Sequence, residues 1–549
     1  MTKLIIKIVF LFSLVIIIGC DDNTENSNNV NDASIDADSS DSDGGEVITN
    51  PYCDEIDEPT RPFNNLAGDN TLYSIAADFT VETTEGSITL SEIWTGCDSI
   101  LFIPDNPSQN SSFPDMTWAD DVDALLQNIP ENVHLFFVSD DADSEIRNEK
   151  LSALSQQFDD FYETISQTKS DHWKSRVHFV TGRARELDGY ASHHFPSPGF
   201  GFGIDRFQRI RYIGSFADPF RYDSNVGWFA PNLSLVRNET IYYNFESDRE
   251  QALKNLAPEN ITLIEEVAVS GDHFFEVELP SSEEMEIYDT LLLDMTNSCD
   301  GGEVGYCPEW DRLVYLYLCA DETDESCNLE IGRWITSYHR HGRWVHDISP
   351  LLGLFRDGGT FRFKYYSQDP WKVSLNMLLA STGKPYHHTI AFPLWHGYNE
   401  FNETYNENFP DITVTVPTGY TKMELATSIT GHGMSQPGNC AEFCNTEHYF
   451  EINSNEYMRD FPQVSQTIGC MWQTEDGTVP NQYGTWWYGR SGWCPGKEVP
   501  LVTYDITEQT AAASQILISY GAFYNDEPYS GDNWRGISLS SWVIAYYEE

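Results

Sequence analysis

Three short stretches set carboxylates among residues that could work on a polar substrate. In Asn439–Asn445, NCAEFCN, one glutamate sits midway between two cysteines four positions apart. The pattern suits a metal clamp, a redox site, or a stapled loop that displays an acid. A zinc site wants four ligands, and no C-x-x-C pair elsewhere supplies the missing two. A disulfide brings its Cα atoms about 4.4–6.8 Å apart, whereas four extended residues span roughly 13 Å. Closure of Cys440 on Cys444 would therefore force a tight turn, with Ala441, Glu442 and Phe443 bulging outward and the glutamate near the apex. In CPEWDRLVYLYL (307–318), Asp311 enters a candidate strand between Trp310 and Arg312. That trio can hydrogen-bond a polar ligand and stack on a sugar face, or it can be an ion pair capping a strand. In YYSQDPW (365–371), Gln368, Asp369 and Trp371 stand at the end of another strand.

The compartment decides how the cysteines are read. Lys3 and Lys7 precede an apolar run from Ile8 to Ile18 broken only by Ser13. This is a charged n-region and a short h-region, too short for an ordinary transmembrane span. The run closes on Ile17-Ile18-Gly19-Cys20, which resembles a bacterial lipoprotein cleavage box with Cys20 as the lipidated residue; an ordinary signal peptide is the alternative. Either way the chain is exported. Residues 21–50 hold nine Asp or Glu and no Lys or Arg. Such a stretch buries too little apolar surface to offset its ordering entropy and reads as a disordered tether. Ten further cysteines (Cys53, Cys97, Cys299, Cys307, Cys319, Cys327, Cys440, Cys444, Cys470 and Cys494) are an even number in an exported chain, read first as five disulfides. Nearest-neighbour pairing gives 53–97, 299–307, 319–327, 440–444 and 470–494, although spacing leaves connectivity open. Residues 51–549 carry 29 basic and 77 acidic side chains, a net of −48. That charge argues against nucleic acid and anionic lipid surfaces as partners.

The elements that must position these residues fall into three folded regions. Buried-strand runs at 99–103, 133–138 and 176–181 alternate with helical spacing over 117–129 and 144–166, followed by a hairpin over 201–214. This order, with an entry ADFTVETTEGSITLSEIW, resembles a thioredoxin-like domain. It lacks C-x-x-C, and Cys97 alone is a poor redox centre, so a binding or degenerate scaffold is the better expectation. From about Ser270 the texture is β throughout. Short alternating runs at 313–318, 331–338, 360–366, 389–394, 412–417, 449–453, 516–523 and 542–547 are the signature of sandwiches or jelly rolls. The expected organisation is a signal peptide at 1–20, a tether at 21–52, a thioredoxin-like domain at 53–265, and two jelly rolls at 266–384 and 385–549.

From about Phe275 to Glu549 the chain resembles the peptide-N-glycosidase F family. CPEWDR followed by EIGRWITSY resembles the segment with that family's principal catalytic aspartate. SITGHGMSQPGNCAEFCNTEHYFEIN resembles the segment with its second acid, and GRSGWCPGKEVP (489–500) resembles the later disulfide and its arginine. The resemblance implies a catalytic Asp311 and Glu442, and glycan contacts from Trp310, Arg312, Trp371 and Arg490. Two departures stand in the sugar cleft. Gln368-Asp369-Pro370-Trp371 is one residue longer than the family pattern, so either Gln368 or Asp369 answers to its third acid. His432 stands where the family has a tryptophan.

What the resemblance implies is hydrolysis of the amide between asparagine and the proximal N-acetylglucosamine, leaving aspartate and a glycosylamine. No cofactor or metal is implied. The partners are N-glycosylated proteins or peptides, with a membrane touched only through the lipid anchor, and the chain a monomer. On this reading Asp311 activates water, Glu442 positions the sugar-amide unit or assists proton transfer, and Arg312 tunes both charges. Three rivals remain: a glycan-binding lipoprotein without turnover, suggested by Gln368; a copper monooxygenase using His339, His341, His387 and His388, against which solvated histidines are the plainer reading; and a thiol oxidoreductase through Cys97.

Overall fold

The computed structural model describes residues 51–548 apart from 67, 69, 106–117, 119–121, 190, 196–200, 214–235, 300–306, 321–322, 324–325 and 532–534. The export signal, Cys20 and residues 21–50 of the tether lie outside the described residues.

The first region is a mixed sheet with helices. Its strands are β1 (Thr80–Thr83), β2 (Gly86–Thr89), β3 (Ser99–Pro104), β4 (Val133–Val138), β5 (Val177–Val180), β6 (Gly201–Ile204) and β7 (Ile210–Ile213), in the order β2-β1-β5-β4-β3-β6-β7. β3, β4 and β5 are parallel, and β6 and β7 run antiparallel beside β3. Strands buried on both faces read as unbroken apolar runs, which is why VHLFFV is wholly buried. Helices α1 (Pro51–Glu55) and α2 (Leu90–Ile93) are short, while α3 (Val122–Asn128), α4 (Ser144–Tyr162) and α5 (Gln167–Lys174) connect the parallel strands. α4 starts at an Asp143 N-cap that accepts from the Glu145 and Ile146 amides.

A long helix, α6 (Val236–Leu256), then leaves this sheet for the β part of the molecule. Successive residues face different cores: Tyr243 is buried with the α/β cluster, and Tyr242 with the β cluster that follows. A helix buried on more than one side has no single apolar stripe, so its periodicity hides it from sequence reading.

The β part opens with β8 (Glu259–Ser281), β9 (Thr290–Ser298), β10 (Leu313–Leu318), β11 (Leu329–Ile335), β12 (Gly342–Asp347) and β13 (Gly358–Ala380). β8 runs through the division expected at 265/266. β13 pairs with β8 along its whole length, with β10 through its first half and with β9 through its second. The paired ribbon thus enters both layers, which close on one core including Leu293, Val314, Trp334, Trp344, Phe363 and Val373. The turn from layer to layer is the Gln368-Asp369-Pro370 bulge, between the Ser367↔Gly271 and Trp371↔Val269 pairs. An extra residue bends a strand and re-aims its side chains.

The second sandwich is built from β14 (Tyr386–Glu400), β15 (Ile412–Thr415), β16 (Lys422–His432), the small ribbon β17 (Met434–Ser435) and β18 (Cys440–Ala441), β19 (Glu447–Ile452), β20 (Asn455–Arg459), β21 (Lys497–Glu498), β22 (Val502–Asp505), β23 (Gln515–Phe523) and β24 (Gly536–Glu548). Its sheets, β14-β24-β16-β22 and β15-β23-β19-β20, enclose a core around Leu425, Phe450, Ile518 and Val543. β21 crosses back and pairs with β11 of the first sandwich. All five disulfides form with the nearest-neighbour pairing, as expected of an exported chain.

Candidate active site

Asp311 lies two residues before β10, on a segment gripped by the loop between β11 and β12. Thr336 accepts from the Arg312 amide at 2.8 Å and its hydroxyl donates to the Trp310 carbonyl at 2.8 Å. The His339 amide donates to the Pro308 carbonyl at 3.0 Å. From the same loop, the Tyr338 hydroxyl faces the Asp311 carboxylate and favours its charged form.

Glu442 follows β18, whose closed ribbon with β17 is stapled by Cys440–Cys444 at a Cα separation of 4.9 Å. The outward bulge expected for this loop is not what forms. Ala441 is fully buried, and the Glu442 side chain turns inward, with a relative exposure of 16%. Its Oε2 accepts from the Gly433 amide at 2.8 Å, and its backbone is tied to Gly433 and Ser491. Gly433 has φ +77°, a left-handed conformation that favours glycine. The staple shortens the loop enough to turn its middle residue toward this amide.

Arg490 joins the two acids. The guanidinium is completely buried, within the loop closed by Cys470–Cys494. Nη2 lies 3.3 Å from Asp311 Oδ2, and Nε donates to Glu442 Oε1 at 3.2 Å. Its remaining donors go to the Thr485 and Tyr488 carbonyls and to the Tyr338 and Thr485 hydroxyls. Phe443 and Trp493 cover its faces at 5.3 and 4.8 Å. His432 stacks on the same Trp493 at 5.1 Å, and its Nε2 meets the Thr430 hydroxyl at 2.8 Å. Burial, with Arg333 and Arg490 nearby, holds this imidazole neutral, its pKa pushed down to about 3.

One buried cation against two carboxylates leaves an uncompensated negative charge. Burial, with the Glu442 charge adding to it and Arg490 opposing it, pushes the Asp311 carboxyl up to about 6. Asp311 Oδ2 is shielded from solvent and makes no hydrogen bond among the described residues, although Arg490 faces it. With the rest of its side chain 13% open to solvent, a carboxyl titrating this high can take a proton from a bound water near neutral pH far better than an ordinary carboxylate can.

The other expected residues divide. Trp310 is 49% exposed beside Tyr338, an open indole face at the rim. Arg312 pairs with Asp369 at 3.7 Å, so the guanidinium that tunes both acids is Arg490 and not Arg312. Asp369 is brought by the bulge to the Asp311 segment, whereas the adjacent Gln368 is exposed. Trp371 is a correction: with 1% exposure it packs in the first sandwich's core and offers no face to a sugar. Tyr338, Thr485 and Trp493 were missed, although Tyr338 ends EIGRWITSY and Trp493 lies inside GRSGWCPGKEVP; Thr485 lay in no such motif.

The rival chemistries find little here. Cys53 and Cys97 are both fully buried and bonded to each other. His341 packs on Tyr73 at 3.9 Å and His339 meets the Cys307 carbonyl, so neither is a solvated histidine. His388 lies by Tyr547; among the described residues no three potential ligands converge on one point.

Residues 400–547 match the family model described as peptide-N-glycosidase F, C terminal. The peptide-N(4)-(N-acetyl-beta-D-glucosaminyl)asparagine amidase F of Elizabethkingia miricola is 27% identical over 282 residues, covering 47% of this chain and 73% of that protein. The C-terminal half is thus similar to the peptide-N-glycosidase F family, with the family-model match confined to residues 400–547. Among solved structures, a glycosylasparaginase of that name from Flavobacterium meningosepticum aligns with a TM-score of 0.43 at 21% identity, over 53% of this chain and 96% of that one. A protein named PNGF-II aligns with a TM-score of 0.40 at 13% identity, over 55% and 68%.

Proposed function

We propose that the protein hydrolyses the amide joining asparagine to the proximal N-acetylglucosamine of N-linked glycoproteins or glycopeptides. The observation that carries this reading is the single buried Arg490 between Asp311 and Glu442. It leaves Asp311 a charged, largely desolvated base with part of its side chain still open to solvent, as an attacking water requires. Water adds to the amide carbon as Asp311 takes its proton; the C–N bond then breaks as that proton passes to nitrogen, giving aspartate and a glycosylamine. Glu442, held by Arg490 and the Gly433 amide, positions the sugar-amide unit. Trp310 supplies a stacking face at the rim, and Arg312 with Asp369 a polar one. His432 sets glycan preference.

The same reading makes the chain an exported, monomeric lipoprotein anchored through Cys20, with the first domain boundary moved from 265/266 to the start of β8. The α/β region is thioredoxin-like: the order β4-β3-β6-β7, with β3 and β4 parallel and α6 following β7, supports it. The test is mass spectrometry of an N-glycopeptide incubated with the protein in heavy-oxygen water. One heavy oxygen in a new aspartate is the expected product. Glycopeptide that is bound yet recovered with its asparagine intact would favour a non-catalytic glycan binder.

A further inference from the structure

The α/β region and the loops of the carboxylate site meet at a buried ion pair, beside the contact of His341 with Tyr73. Glu239, in the first turn of α6, has no solvent exposure, and its Oε1 accepts from Arg340 Nη1 at 2.7 Å and from Asn481 Nδ2 at 3.0 Å. Arg340 belongs to the 336–341 loop that grips the Asp311 segment, and also donates to the Pro480 carbonyl. Asn481 and Pro480 belong to the long loop that delivers Arg490. Between them, the Tyr338 amide donates to Gln482 Oε1 at 2.8 Å, and Gln482 Nε2 donates to the Val479 and Pro495 carbonyls. One carboxylate from the α/β side therefore holds together the loop bearing Tyr338 and the loop bearing Arg490.

We infer that Glu239 is a positioning residue for the site, and that through it the α/β region is a working part of the hydrolase. The inference rests on the amidase reading above. Replacing Glu239 leaves Arg340 buried without its counter-charge, and frees the 336–341 loop to relax. Tyr338 then withdraws from Asp311. That removes an interaction favouring the charged carboxylate, so Asp311 needs a higher pH to ionise.

The test uses the full chain carrying Glu239→Gln, with Arg249→Met as control. Arg249 lies on the same helix and docks it by donating to the Arg343 carbonyl at 2.8 Å, away from the 336–341 loop. For Glu239→Gln we expect kcat to fall by about tenfold with KM nearly unchanged, as loss of positioning predicts. The acid limb of its kcat–pH profile should move upward, and the amides of residues 336–341 should exchange faster. Arg249→Met should show none of these. A change in folded fraction would scale the rate at every pH without moving the limb. If Glu239→Gln does not fold, the paired Glu239→Leu/Arg340→Met variant removes both charges together, a replacement that buried pairs tolerate, and it must show the same limb shift and exchange. Wild-type limb and exchange in a folded variant, or the same changes in Arg249→Met, would overturn the inference. If the wild type releases no glycan, the amidase reading fails, while the exchange measurement still decides whether Glu239 holds the loop.

Discussion

Two buried arginines join the sandwiches, and they do opposite things. Arg333 meets Glu330 through two bonds of 2.8 and 2.9 Å, with both side chains all but inaccessible. Its other donor reaches the Thr430 hydroxyl and the Ser538 carbonyl across the interface, each at 2.9 Å. Charge is matched one to one, and the pair fastens the two halves. Arg490 is equally buried but faces two carboxylates, each reached at 3.2 or 3.3 Å and each partly open to solvent. Burial raises the pKa of Glu330 as well as that of Asp311, so a perturbed carboxyl by itself does not mark a site. The count of cations against anions, and the access to solvent, separate a fastener from a working centre.

The comparison breaks most directly at Asp311. Asp311→Asn should lower glycan release by about 10³-fold, within the range for loss of a general base, and release at the wild-type rate would remove Asp311 from the mechanism. Arg490→Lys should follow at about 10²-fold, because an ammonium cannot span two carboxylates as a guanidinium fork does. Its counterpart, Glu330→Leu/Arg333→Met, should keep catalysis and most stability; comparable loss in both would erase the distinction.

A third test uses pH and stability. The folded state raises the Asp311 carboxyl from 3.8 to about 6. It therefore holds its proton more tightly than the unfolded chain between those values, and stability falls as pH rises through that window. Asp311→Asn escapes the penalty, so its stability relative to wild type should grow by about 3 kcal/mol between pH 3 and pH 7, read from denaturant midpoints. A difference independent of pH would mean the carboxyl is solvated. The smallest effect is expected at the rim, where Trp310→Ala should raise KM several-fold, about 1 kcal/mol of stacking, and leave kcat and folding alone.

Much of this was legible in the chain because strands buried on one or two faces leave a period that survives in sequence. LVYLYL became β10 with both ends as read. The two acids were legible through motifs, and the staple through cysteine spacing. Arg490 was readable only as a glycan contact, since nothing local tells that residues 311, 442 and 490 converge. Trp371 was misplaced because strand parity was not weighed: alternate residues from Phe363 to Met377 face one core on both sides of the bulge, and Trp371 falls on that face. α6 escaped because it is covered on several sides.

The return of β21 to β11 also has a bearing on how the protein is made. Glu498 pairs with Trp334, and Arg490 reaches Asp311 only once the chain has come back across the first sandwich. Contacts this distant in sequence form late. A nascent chain can therefore pair most of its first sheet while Asp311 still lacks its arginine. The carboxylate site is thus assembled last, after the sheets that carry Asp311 have formed.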